Sequence, residues 1–137
     1  MNMQKIVSIV SAIIITVLVI YLSPLKHLNL IDPNPNDVDP KEFWDAYQKN
    51  PDGYLFLDVR SQQVYDISHA KGAQSQPIAS MFDLRHDFPM SGKQIVLICT
   101  SGRLAGVAYG FLQNWGHLNL IRIEGGLQKL GSRGAAN

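Results

Sequence analysis

KQIVLICTSGRLAGVAYGFLQNW, residues 93–115, is the stretch whose reading decides the fold. Ile95, Val96, Leu97 and Ile98 make a near-continuous apolar run, as in a strand buried on both faces. The run closes at Cys99, and Thr100-Ser101-Gly102-Arg103 after it is small and polar. Leu104, Val107, Ala108, Phe111, Leu112 and Trp115 then recur at helical spacing, with Gly116 as the stop. A buried strand that turns at once into a helix is the repeating element of a parallel α/β sheet.

The same alternation continues on both sides. YLFLDV, residues 54–59, is a second buried strand closed by an acid, and LNLIRI, residues 118–123, is a third. Upstream, Asp39 can cap a helix, Pro40 suits its first position, and Glu42 stands three residues after the cap. PKEFWDAYQ then places Phe43, Trp44 and Tyr47 on one helical face, and Asn50-Pro51-Asp52-Gly53 is a turn. Residues 61–68 read as a short polar helix, residues 73–76 as a short strand after a turn at Gly72, and residues 78–88 as a helix ended by Pro89. Glu124-Gly125-Gly126 leads into a short closing helix. The fold class is therefore α/β, with a parallel sheet covered on both faces.

The 137 residues carry a formal net charge of +1 and are 46% hydrophobic. One domain is as much as that length supports. The neutral balance and the absence of a basic run leave no electrostatic footprint for nucleic acid. A single cysteine excludes an internal disulfide. None of His27, His69, His86 and His117 stands at metal-ligand spacing to Cys99 or to another histidine, so neither a metal site nor a cofactor is expected.

Residues 6–22 contain no charge, and the neutral stretch runs to Leu25. At ~1.5 Å per residue it just crosses a hydrocarbon core of ~30 Å. A cleaved signal peptide would have a shorter apolar region and small residues at its cleavage site, whereas this run ends in Tyr21-Leu22-Ser23-Pro24. The expected organisation is a single-pass transmembrane anchor at 6–25, an Asn/Asp/Pro-rich linker at 26–37, a folded domain at 38–131 and a tail at 132–137. Lys5 on one side, and Lys26 followed by Asp32, Asp37 and Asp39 on the other, lean towards an extracytoplasmic domain.

Cys99 ends a buried strand at the carboxyl edge of the sheet, where open α/β folds gather their reactive groups. Backbone N–H groups of the following loop, the positive end of the helix dipole and the Arg103 charge would all favour a thiolate, the nucleophilic form. Against this stands the ordinary role of free cysteine as a small buried hydrophobe. The loop and the helix start tip the balance towards a reactive residue.

With these residues in view, the chain from about Val38 to Leu130 resembles a single rhodanese domain of the sulfurtransferase family. Residues 57–73, LDVRSQQVYDISHAKGA, are similar to the family's D-V-R segment followed by H-I-x-G-A. VLICTSGRLA resembles the active-site loop C-x-x-G-x-R/S, NLIRIEGGL resembles the strand leading to E-G-G-I, and PKEFWDAY is similar to the usual first helix. The resemblance implies a sheet of about five parallel strands flanked by helices. It implies that Cys99 accepts a sulfane sulfur as a persulfide and passes it to a thiophilic acceptor such as cyanide or a thiol. Amides of Thr100, Ser101, Gly102, Arg103 and Leu104 would cradle the sulfur, and Arg103 would attract a small anionic donor such as thiosulfate. Asp58 and Arg60, on the same sheet edge, are expected to support the loops as an ion pair, His69 to fix a turn, and Glu124 to be structural.

Thr100 stands where many thiosulfate-using members carry Arg, Leu104 where Arg, Ser or Thr is frequent, and Leu130 where an aromatic residue is common. The related phosphatases and arsenate reductases place an Arg six residues after the cysteine to clamp an oxyanion. That position is Ala105 here, which disfavours phosphate chemistry. A non-catalytic, membrane-tethered binding module is the remaining alternative.

Overall fold

The computed structural model describes residues 2–22, 36–131 and 135–136, with side chains over 2–19 and 36–131. Strands β1 (Asp37–Val38), β2 (Tyr54–Asp58), β4 (Gln74–Ser75), β5 (Gln94–Ile98) and β6 (Leu120–Ile123) form one sheet in the order β1-β6-β5-β2-β4. Every neighbouring pair is parallel. β3 (His69–Ala70) pairs antiparallel with β7 (Ala135–Ala136). The helices are α1 (Met3–Leu22), α2 (Pro40–Lys49), α3 (Gln62–Ile67), α4 (Ile78–Met81), α5 (Arg103–Asn114) and α6 (Gly126–Leu130).

The central strand explains the two-layer core. Successive β-strand side chains point to opposite faces. On one face Ile95, Leu97 and Cys99 join Leu57, Val59 and Leu120 against Ala105, Ala108, Tyr109 and Leu112 of α5, with Met81 and Phe88 filling the edge. On the other, Val96 and Ile98 join Phe56, Ile121 and Ile123 against Phe43 and Trp44 of α2 and Leu130 of α6. Phe43 meets Phe56 edge-on at 4.9 Å between ring centroids, and each such buried side chain contributes about 1.5–3 kcal/mol. α2 begins as its sequence dictates: Asp39 Oδ1 accepts from the N–H groups of Lys41 and Glu42, and Pro40 occupies the first turn.

Three elements differ from expectation. Asp37, placed in the linker by composition, belongs with Val38 to a strand paired with Arg122 and Ile123; the linker over 26–35 lies outside the described residues. The helix expected over 78–88 stops at Met81. The chain continues there in turns, with N–H groups bonded three residues back from Leu84 to Met81, Arg85 to Phe82 and Asp87 to Leu84. Ala135–Ala136, in the expected tail, adds a strand beside His69–Ala70.

The N-terminal helix forms, but the expected transmembrane span is not supported: among the described residues no helix is long and apolar enough to cross a membrane. Residues 23–25 of the expected span lie outside the described residues. Along the described part of α1, Ile6, Ile9, Ile13, Ile14, Val17 and Leu18 are all exposed. The hydroxyls of Ser8, Ser11 and Thr16 donate to carbonyls four residues back, so the helix satisfies its own polar groups.

Candidate active site

Cys99 is the first residue beyond β5, and its odd parity sends the side chain towards α5. The chain must reverse into that helix within a few residues. Gly102 does this with φ +90, a left-handed conformation that glycine adopts without a steric penalty. As a result the first free amides of α5 converge on the sulfur. The Gly102 N–H donates to Cys99 Sγ at 3.1 Å and the Ala105 N–H at 3.4 Å. Sγ thus sits at the positive end of a helix with two donors aimed at it, an arrangement that stabilises negative charge on sulfur.

A second glycine turn braces the loop from below. Gly125 and Gly126 both have positive φ, and the N–H groups after them reach back: Leu127 donates to the Cys99 carbonyl at 2.8 Å and Gln128 to that of Thr100 at 3.0 Å. Glu124 takes no part at the sulfur; its Oε2 accepts from Lys129 Nζ at 2.6 Å. That hydrogen bond, with the Glu124 and Asp39 charges, raises the Lys129 pKa above the ordinary lysine value.

Above Cys99 opens a cavity of about 600 Å³. Its lining comprises Cys99, Thr100, Ser101, Arg103 and Leu104 of the loop, Gly106 and Val107 of α5, and Arg60 and Arg122 from flanking segments. Of the loop residues singled out by the sequence, Gly102 alone is tucked beneath the rim, where its amide holds the sulfur. Thr100, Ser101, Arg103 and Leu104 are exposed on the cavity wall.

Asp58 and Arg60 form a bidentate ion pair, Nε–Oδ1 2.9 Å and Nη2–Oδ2 2.6 Å, and Arg60 Nη2 also donates to the Ser68 carbonyl at 2.7 Å. Asp58 is fully buried and Arg60 nearly so. The pair therefore ties the end of β2 to the turn before β3 while leaving the arginine at the cavity wall. His69 is elsewhere. Its ring stacks on Tyr65 at 3.9 Å and its Nδ1 lies 3.0 Å from the Tyr65 carbonyl.

Arg122 was not singled out by the sequence. It stands on β6 opposite Leu97, and its Nε and Nη2 donate to the Asp37 carboxylate at 2.6 and 2.7 Å. Its Nη1 lies 3.5 Å from the Gly102 carbonyl. Gly106 leaves room for the guanidinium, since a Cβ there would stand 2.7 Å from Nη1. No local signal in LNLIRI announces this role; only the adjacency of β6 and β5 creates it.

Residues 39–132 match the family model described as a rhodanese-like domain. A tRNA uridine(34) hydroxylase of Bacillus licheniformis is 28% identical over 109 residues, 74% of this chain but 33% of that protein. The chain thus spans about a third of the curated relatives it matches. Among solved structures, a rhodanese-like domain protein of Staphylococcus aureus superposes with TM-score 0.65 at 17% identity, covering 74% of this chain and 96% of that one. SSP1007 of Staphylococcus saprophyticus gives 0.64 at 20% identity, covering 74% and 99%. At these identities the structural likeness establishes the fold.

Proposed function

This chain belongs to the rhodanese-like domain family, and from that premise we propose that it is a sulfurtransferase carrying sulfane sulfur as a persulfide on Cys99. The observation that carries the reading is the sulfur itself, held by the Gly102 and Ala105 amides at the floor of an arginine-bearing cavity. A packed structural cysteine has no need of two convergent backbone donors or of an open wall beside it. The Cys99 thiolate attacks the outer sulfur of a small anionic donor. The donor's bond to that sulfur breaks with its electron pair leaving on the remainder (sulfite, where the donor is thiosulfate), and the same amides hold the terminal sulfur of the resulting persulfide. A thiol or cyanide then removes it and regenerates the thiolate. The atoms balance with no cofactor.

The deciding experiment is intact-mass analysis after incubation with several sulfane-sulfur donors, with thiocyanate measured after cyanide is added. Gain of one sulfur on wild type and none on Cys99→Ser is expected. An unmodified wild type with every donor would leave the non-catalytic binding module as the reading.

We also propose that residues 6–25, of which the described part of α1 is the beginning, serve as a single-pass membrane anchor, with the domain on the extracytoplasmic side. Its exposed isoleucines and internally bonded hydroxyls suit a lipid environment. Retention of the full chain in the membrane fraction through a high-salt wash is the expected result; release by salt alone refutes it, and protease protection in intact cells tests the side.

A further inference from the structure

We propose that the sulfur donor suited to this cavity is an organic persulfide, a monoanion bearing an apolar group, rather than a small inorganic dianion; this rests on the sulfur-transfer reading above. Three arginines reach the cavity, yet two of them bring no net charge to it. Arg60 is bound by the buried Asp58 carboxylate, and Arg122 commits Nε and Nη2 to Asp37. Arg103 is exposed, and among the described residues no carboxylate lies within salt-bridge distance of it. Among the described residues the site therefore offers one uncompensated cation and the helix amides. A dianion brings a charge that this arrangement leaves unbalanced and partly stripped of water, which is costly.

The rest of the wall is apolar where the donor's body must lie. Leu104 and Val107 are one turn apart on α5, so they share a face, and both line the cavity beside Cys99. Leu104 keeps 36% of its surface exposed although it stands next to a charged site. A volume of about 600 Å³ falls within the ~300–1,000 Å³ typical of sites for organic ligands, and is far more than a small oxyanion fills. The persulfide anion approaches Arg103 and the amides while its organic group covers Leu104 and Val107.

The transfer balances as R–S–S⁻ plus the Cys99 thiolate plus a proton from solvent giving Cys99–S–S⁻ plus R–SH. A bond forms between Sγ and the outer sulfur, the donor's S–S bond breaks, and the solvent proton goes to the leaving R–S⁻. No oxidant or reductant is consumed.

Rates of sulfur loading on Cys99 by intact mass, with benzyl persulfide and with thiosulfate, test the inference. Comparing wild type with Leu104→Ser and Val107→Ser cancels the intrinsic reactivities of the two donors. Each substitution should lower the ratio of benzyl persulfide to thiosulfate loading by about tenfold, the discrimination an apolar contact of this size supplies. Leu104→Arg should lower it further by accelerating thiosulfate. An unchanged ratio in all three variants overturns the donor class while leaving sulfur transfer standing. Failure of every donor to load wild type overturns both. Continued loading by thiosulfate in a variant shows that its site is folded.

Discussion

Gly126 lies directly under the carbonyl group of Cys99. A Cβ built on Gly126 would overlap that oxygen and stand 2.9 Å from the Gly102 amide nitrogen, the donor that holds the sulfur. The loop that presents Sγ and the turn after β6 are thus fitted backbone to backbone, with no flexible side chain between them to give way.

Gly126→Ala is therefore expected to damage both stability and function. The new methyl meets backbone atoms and sits at φ +60, so the loop must move, at a cost of about 2 kcal/mol or more. Thermal melting should show a midpoint lowered by about 10 °C, and persulfide loading at temperatures where the variant is folded should fall. A wild-type melt with wild-type loading would contradict the fitted-loop account.

Breaking the Asp58–Arg60 pair should cost far more than breaking a surface pair. Asp58→Ala leaves a nearly buried guanidinium with no carboxylate, and such losses run to about 3–5 kcal/mol. Replacing both partners, as Asp58→Leu with Arg60→Met, should recover a substantial part of that loss, because no uncompensated charge remains. Chemical denaturation of the single and double variants reads this directly; a double variant as unstable as the single one would point to lost packing instead.

Arg103→Ala should raise KM for an anionic donor severalfold with little change in kcat. In the proposed reaction the exposed guanidinium attracts the donor, while the sulfur is held by the Gly102 and Ala105 amides. Salt dependence of kcat/KM should weaken in the variant, since the attraction that salt screens has been removed. Equal kinetics and equal salt dependence would make Arg103 a bystander at the helix start.

Cys99→Ser separates chemistry from fold. The hydroxyl is smaller than the thiol but can accept the same two N–H groups, so stability should stay within about 1 kcal/mol of wild type. Sulfur loading should vanish. Residual thiocyanate formation above background by a folded Cys99→Ser protein would assign the turnover to some other group.

The arrangement behind these predictions was only partly legible in the chain. Wherever burial imposes a local period, the sequence was sufficient. Ile95 to Ile98 announce a doubly covered strand, Phe43, Trp44 and Tyr47 a helix face, and Asp39-Pro40 the start of that helix. The cysteine at the end of β5 and the small polar loop after it could likewise be read in place, as could an acid and an arginine closing β2. The helix expected over residues 78–88 failed because Phe82 and Leu84 are exposed. Between the buried Met81 and Phe88 the apolar residues face solvent, and the local turns win.

What the tertiary structure alone decided is which distant residues share the site. A strand of two residues such as Asp37–Val38 has no period to detect and exists only through its ladder with β6. Arg122 reads as an ordinary strand residue, yet the order β1-β6-β5 sets its guanidinium between Asp37 and the cysteine loop. Gly126 reads as a turn residue, yet the same crossover sets it under Cys99. Local sequence encodes how a segment buries its own faces; strand order is fixed by the closure of the whole chain, so contacts across it are settled only when the sheet is complete.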